Sequence, residues 1–158
     1  RLNTAPVHDD FRENMEEGIK TLVIVDADSE INDGSFSVRN EQLLRIKENE
    51  VLDFNYFLMP NSEKEDDGDL ETVLRNILVE KYQPILGCLD SYHNCLSEVQ
   101  ETLEEDLQIL NEKTKIAVFR KIVKDSKRVD YKDSTIWNLN HPYLNPLKEF
   151  LSTQLGLD

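Results

Sequence analysis

The clearest pattern in the chain is the set Leu70, Val73, Leu74, Ile77 and Leu78. Its i, i+3, i+4, i+7, i+8 spacing predicts a helix with one core-facing side. Asp69 stands where a cap belongs. A different period governs Thr21-Leu22-Val23-Ile24-Val25, a continuous β-branched run of strand length. Such runs are expected of strands covered on both faces in a parallel sheet. Asp53 to Met59, closed by Pro60, reads as a second strand.

Helical spacing recurs elsewhere. Phe11, Met15 and Ile19 predict a helix after an N-terminal loop, within residues 1–20, with Gly18 as its stop. Residues 37–49 read as a helix, and Asn32-Asp33-Gly34 before it as a turn. A long helix is expected over 84–112, with Ile85, Leu89, Tyr92, Leu96, Val99, Leu103, Leu107 and Leu110 on one face. Ile116, Phe119, Ile122 and Val123 suggest another helix, although Ile116 to Val118 also suits a short strand. Tyr143, Leu144, Leu147, Phe150, Leu151 and Leu155 predict a last helix, with Pro146 in its first turn. The order helix, strand, helix, strand, helix points to an α/β fold. A central, mainly parallel sheet is expected, flanked by helices, with a helix-rich C-terminal half.

Length and composition narrow the class. The 158 residues are expected to form a single domain over 1–158, with enough length to bury a core without disulfides. Apolar residues make up 39%, which argues against a disordered chain. No apolar stretch approaches the ~20 residues of a membrane span, so no membrane association is expected. No secretory signal is expected either. Cys88 and Cys95 are the only cysteines, which suits a reducing, cytoplasmic setting. On one helix they stand too far apart for a disulfide, and burial as structural thiols is expected. The spacing of Cys88, His93 and Cys95 fits no standard zinc site.

Charge changes the list of partners. Thirty-two acidic residues against eighteen basic ones leave a net charge of −14, which disfavours sequence-blind nucleic-acid binding. Residues 113–132 are the exception, with eight Lys or Arg. A nucleic acid or nucleotide would dock there, or else the segment is a solvated face that pairs with the acidic residues of 98–106. The acidic loop from Glu63 to Asp69 lacks the spacing of an EF-hand and reads as exposed. The long helix would supply an interface if the chain forms a homo-oligomer.

The sharpest chemical signal is Asp26-x-Asp28, directly after the first strand. Alternation along an extended end would turn both carboxylates to one side. Mg²⁺ takes one or two carboxylates plus waters, so the pair suits a divalent cation. The plainer alternative is that both aspartates solvate a strand-to-loop junction.

The sequence TLVIVDADSE over 21–30 is followed by Phe57-Leu58-Met59-Pro60-Asn61, then Gly68-Asp69-Leu70-Glu71 opening a helix, and finally Ile136-Trp137-Asn138-Leu139. Across most of residues 20–155 this arrangement resembles the Toprim-like domains of a bacterial family of unknown function. It is more distantly similar to the Toprim domains of topoisomerases, primases and overcoming-lysogenization-defect nucleases. The resemblance implies a compact parallel sheet that binds Mg²⁺ at Asp26 and Asp28. In the nuclease branch a helix-opening Glu after an L-E step joins the metal site, and Glu71 matches it. The family also carries a Glu after its first strand. No apolar strand followed by Glu-Gly precedes Thr21, and Glu13, Glu16 and Glu17 lie in a helical setting. Either the first strand of the fold is missing or a catalytic residue has been lost. Two functions follow as expectations: Mg²⁺-dependent phosphoryl transfer or nuclease-type chemistry on a nucleic acid or nucleotide, or a catalytically inactive interaction or assembly module.

Overall fold

The computed structural model describes residues 4–29, 34–103, 107, 109–124 and 130–157. The Asn32-Asp33 turn, the acids Glu104, Glu105 and Asp106, and the Lys127-Arg128 end of the basic segment lie outside the described residues. The chain divides into two compact units, Arg1–Leu70 with Leu144–Asp158, and Glu71–Tyr143.

The first unit contains α1 (Ala5–Glu16), β1 (Leu22–Asp26), α2 (Phe36–Glu50), β2 (Asn55–Met59) and α6 (Asn145–Leu155). β1 and β2 pair in parallel, with Leu22 beside Asn55 and Asp26 beside Met59. Parallel pairing requires a crossover, and α2 provides it. Ser35 caps α2 by accepting from the Val38 N–H at 3.3 Å. Val23, Ala27, Leu43, Leu52, Phe54 and Leu58 form the buried cluster, with Phe11 edge-on to Phe54 at 5.3 Å. On β2, Phe57 packs against Phe150 of α6 at 5.5 Å.

The fold is thus mixed α/β with a small parallel sheet, and helices make up most of it. Among the described residues the sheet has two strands. Its size corrects one expectation. Ile24 is 40% exposed, so β1 is not covered on both faces. The apolar run specified an extended segment but not a neighbour on each side.

The second unit holds all of α3 (Leu70–Asn76) but its first residue, with α4 (Gln83–Leu103) and α5 (Glu112–Lys124). Phe119 is fully buried, edge-on to Tyr82 at 5.9 Å and to Trp137 at 6.1 Å. The backbone ties Val79 N–H to Ile136 O at 3.0 Å and Asn138 N–H to Ile77 O at 2.7 Å, which fixes the Trp137 segment beside the end of α3. Residues 112–124 are helical, so Ile116 to Val118 do not form a strand.

The helix expected over 84–112 is shorter. Leu107 and Leu110 are not helical. The Leu107 N–H bonds to the Gln100 side chain at 3.2 Å, and His93 Nδ1 lies 2.8 Å from Leu110 O. Asn111 then caps α5, accepting from the Thr114 N–H at 2.8 Å. A cap at 111 and a continuous helix through it are mutually exclusive.

An ion network joins the three helices of this unit. Asp90 on α4 accepts from both Arg75 of α3 and Lys115 of α5, the latter at 2.9 Å. Glu112 accepts from Arg75 at 3.1 Å and from Lys115 at 2.7 Å. The Arg75 hydrogen bond, opposed by partial burial, holds the Asp90 carboxyl down at about 2. Burial pulls the Lys115 ammonium down, but its bonds to Glu112 and Asp90 outweigh this and raise it above its ordinary value.

Candidate functional site

The carboxyl end of β1 carries Asp26, and two residues later Asp28. Simple alternation does not continue between them. Asp28 takes a left-handed backbone, φ 64°, and exchanges two backbone bonds with Gly68, at 2.7 and 2.8 Å. Gly68 itself sits at φ 144°, a region that a side chain disfavours. Both aspartates nevertheless line one cleft of about 690 Å³, together with Ile24, Arg39, Ile46 and Met59. The shared side is therefore achieved by a turn rather than by the pleat.

Each carboxylate has a partner within the fold. Asp26 Oδ1 accepts from the Leu70 N–H at 2.9 Å, at the start of α3. A carboxylate there meets the unsatisfied N–H groups and the positive end of the helix dipole. Asp28 Oδ2 accepts from Arg39 Nε at 2.9 Å and from Arg39 Nη2 at 2.5 Å. Arg39 comes from the first turns of α2 and is half-buried. A third acid plays a similar part: Asp67 Oδ1 accepts from the Phe36 N–H at 2.5 Å, where α2 begins.

Glu71, the remaining expected metal ligand, is half-buried in the first turn of α3. It belongs to the second unit, whereas Asp26 and Asp28 belong to the first. Among the described residues no group of three or more His, Cys, Asp or Glu side chains is gathered to hold a metal ion. As arranged, the aspartate pair does not fit Mg²⁺: the guanidinium of Arg39 already supplies the positive charge at Asp28.

The basic segment is drawn into the fold in part. Lys115 is buried with Asp90 and Glu112, and Lys124 pairs with Asp133. The expected pairing with the 98–106 acids falls partly outside the described residues, since Glu104, Glu105 and Asp106 are not among them. Lys113, Lys121 and Lys132 are exposed.

Cys88 and Cys95 are free thiols, and both are exposed rather than buried. The helix turns Leu86 and Leu89 inward instead. In the acidic loop, Asn61 Oδ1 accepts from the Glu63 N–H at 3.0 Å, so the loop is organised by an amide side chain. Among the described residues no helix is long and apolar enough to cross a membrane.

Sequence reasoning missed Arg39 and Asp67. Asp67 is one acid among several in a loop, and Arg39 is one cation on an amphipathic helix. Neither carries a local signal, because both act across gaps in sequence that only the fold closes. Comparison with known proteins finds no match: no family model fits the chain, and no curated protein or solved structure is significantly similar to it.

Proposed function

We propose that the chain is a catalytically inactive interaction module of Toprim-like descent, in which the acidic pair holds the carboxyl edge of the sheet together. The observation that carries this reading is the double donation of Arg39 to Asp28. The Asp26 bond at the start of α3 supports it in the same way. The order β1, D-x-D, crossover helix, parallel β2 supports the Toprim-like part. Two free, exposed thiols support a reducing, cytoplasmic setting.

A second reading has one observation on its side. Asp26 and Asp28 share a cleft of about 690 Å³. In this reading the chain is a Mg²⁺-dependent phosphoryl-transfer enzyme that acts on a nucleic acid or nucleotide. It requires Arg39 to leave Asp28.

Calorimetric titration with Mg²⁺ and Mn²⁺ separates the two. The module reading expects the wild type and Asp26→Asn/Asp28→Asn to show equally negligible binding at concentrations up to about 1 mM. Saturable binding by the wild type below that level, lost in the double variant, overturns it in favour of the enzyme.

A further inference from the structure

α4 carries an outward stripe that its own fold does not use. Pro84, Cys88, Tyr92, Cys95, Val99 and Leu103 are all exposed. At 3.6 residues per turn they fall within about 100° of arc. Tyr92 and Leu103 are each more than half exposed, at 52% and 53%. Within this arc Thr102 is turned back on its own helix, its Oγ1 donating to Glu98 O at 3.0 Å. Ser91, about 20° outside the arc, likewise donates its Oγ to Gly87 O at 2.9 Å. Apart from the Tyr92 hydroxyl, the stripe presents carbon and sulfur outward.

We propose that this stripe is the contact between two copies of the chain, with their α4 helices packed antiparallel. The inference rests on the interaction-module reading and names its partner. Three features select a second copy in this orientation. First, the stripe is self-complementary in volume. With the two-fold axis between Tyr92 and Cys95, Tyr92 meets Cys95 of the other copy, Val99 meets Cys88, and Leu103 meets Pro84. Large side chains meet small ones each time, whereas a parallel pair would stack Tyr92 on Tyr92.

Second, the charge pattern agrees. From Gln83 to Ser97 the only charged residue is Asp90, which is bound to Arg75 and Lys115. A chain at −14 repels its copy least along this surface. Glu98 and Glu101 would oppose themselves in a parallel pair. Antiparallel, they lie beside the uncharged, dipole-positive N-terminal half of the other helix. Third, the stripe exposes roughly 400 Å² per copy, about half of a standard interface. A dimer that dissociates on dilution follows.

Sedimentation velocity on the full chain over about 1–300 µM tests this. The wild type is expected to shift from the mass of one chain to that of two, and Tyr92→Lys to remain a single chain while retaining its circular dichroism. A single chain at every concentration overturns the proposal, as does a Tyr92→Lys variant that still dimerises. Oxidative cross-linking reads the orientation. Cys95→Ser/Val99→Cys is expected to form a linked dimer through Cys88 and the new thiol, and Cys95→Ser alone to form none. A linked dimer from Cys95→Ser alone overturns the antiparallel arrangement. Mg²⁺ binding at the aspartates would sink the module reading without touching these masses, so the two failures are distinguishable.

Discussion

Replacing Asp90 with Asn removes the carboxylate that Arg75 and Lys115 share. The side chain keeps its shape but loses its charge. Lys115 is left with Glu112, and its side chain is only 7% exposed. The cost follows from the native carboxyl, held at about 2 against its usual 3.8. At 1.36 kcal/mol per tenfold change this is about 2 kcal/mol, and solvent screening at a side chain 29% exposed reduces it to ~1–2 kcal/mol. The sign is fixed by the direction: a depressed carboxyl stabilises the fold above its unfolded value and stops doing so as pH falls through the folded one. The deficit of Asp90→Asn is therefore flat from neutrality down to about pH 5, is roughly halved near pH 3, and closes toward pH 2.

Trp137 is the only tryptophan, is 1% exposed and lies in the same unit as the network, so its fluorescence reports the right transition. Urea unfolding of wild type and variant at a series of pH values gives the comparison. A deficit that is equal at about pH 7 and pH 3, or absent at both, refutes the account of Asp90.

Two further substitutions probe the packing and the site. Phe119→Ala empties the fully buried position between Tyr82 and Trp137, and should cost ~3–5 kcal/mol in urea unfolding while shifting Trp137 emission to the red in the native state. An unchanged emission maximum would contradict the edge-on stack. Gly68→Ala places a side chain at φ 144° where the loop bonds to Asp28, and should lower stability by ~1–3 kcal/mol by circular dichroism. A neutral result would mean that the loop adopts another backbone.

The sequence announced elements better than it announced their surroundings. Helical spacing is local information, and Leu70 to Asn76 became α3. The last two positions of the stripe leave the helix, Ile77 in a turn and Leu78 bridged to Trp137, yet Val73, Leu74, Ile77 and Leu78 are all buried. The parallel pairing of β1 and β2 followed from their separation by a helix. For the D-x-D pair the sequence missed how the two residues come to line one cleft. Alternation assumes an extended Asp28, whereas its left-handed turn, bonded to Gly68, delivers the carboxylate to Arg39. No periodicity encodes that turn. α4 failed differently. It has apolar residues on more than one side, so the pattern could not say that Leu86 and Leu89 go inward while Tyr92, Val99 and the cysteines stay out.

Two helices borrow their opening bonds from distant acids, Asp26 for Leu70 and Asp67 for Phe36. The lenders are themselves linked, because Asp28 and Gly68, their near neighbours in sequence, clasp each other through the backbone. A disturbance of that clasp loosens both loans together. The amide protons of Phe36 and Leu70 should therefore exchange with solvent in one shared opening event, although 33 residues of chain lie between them.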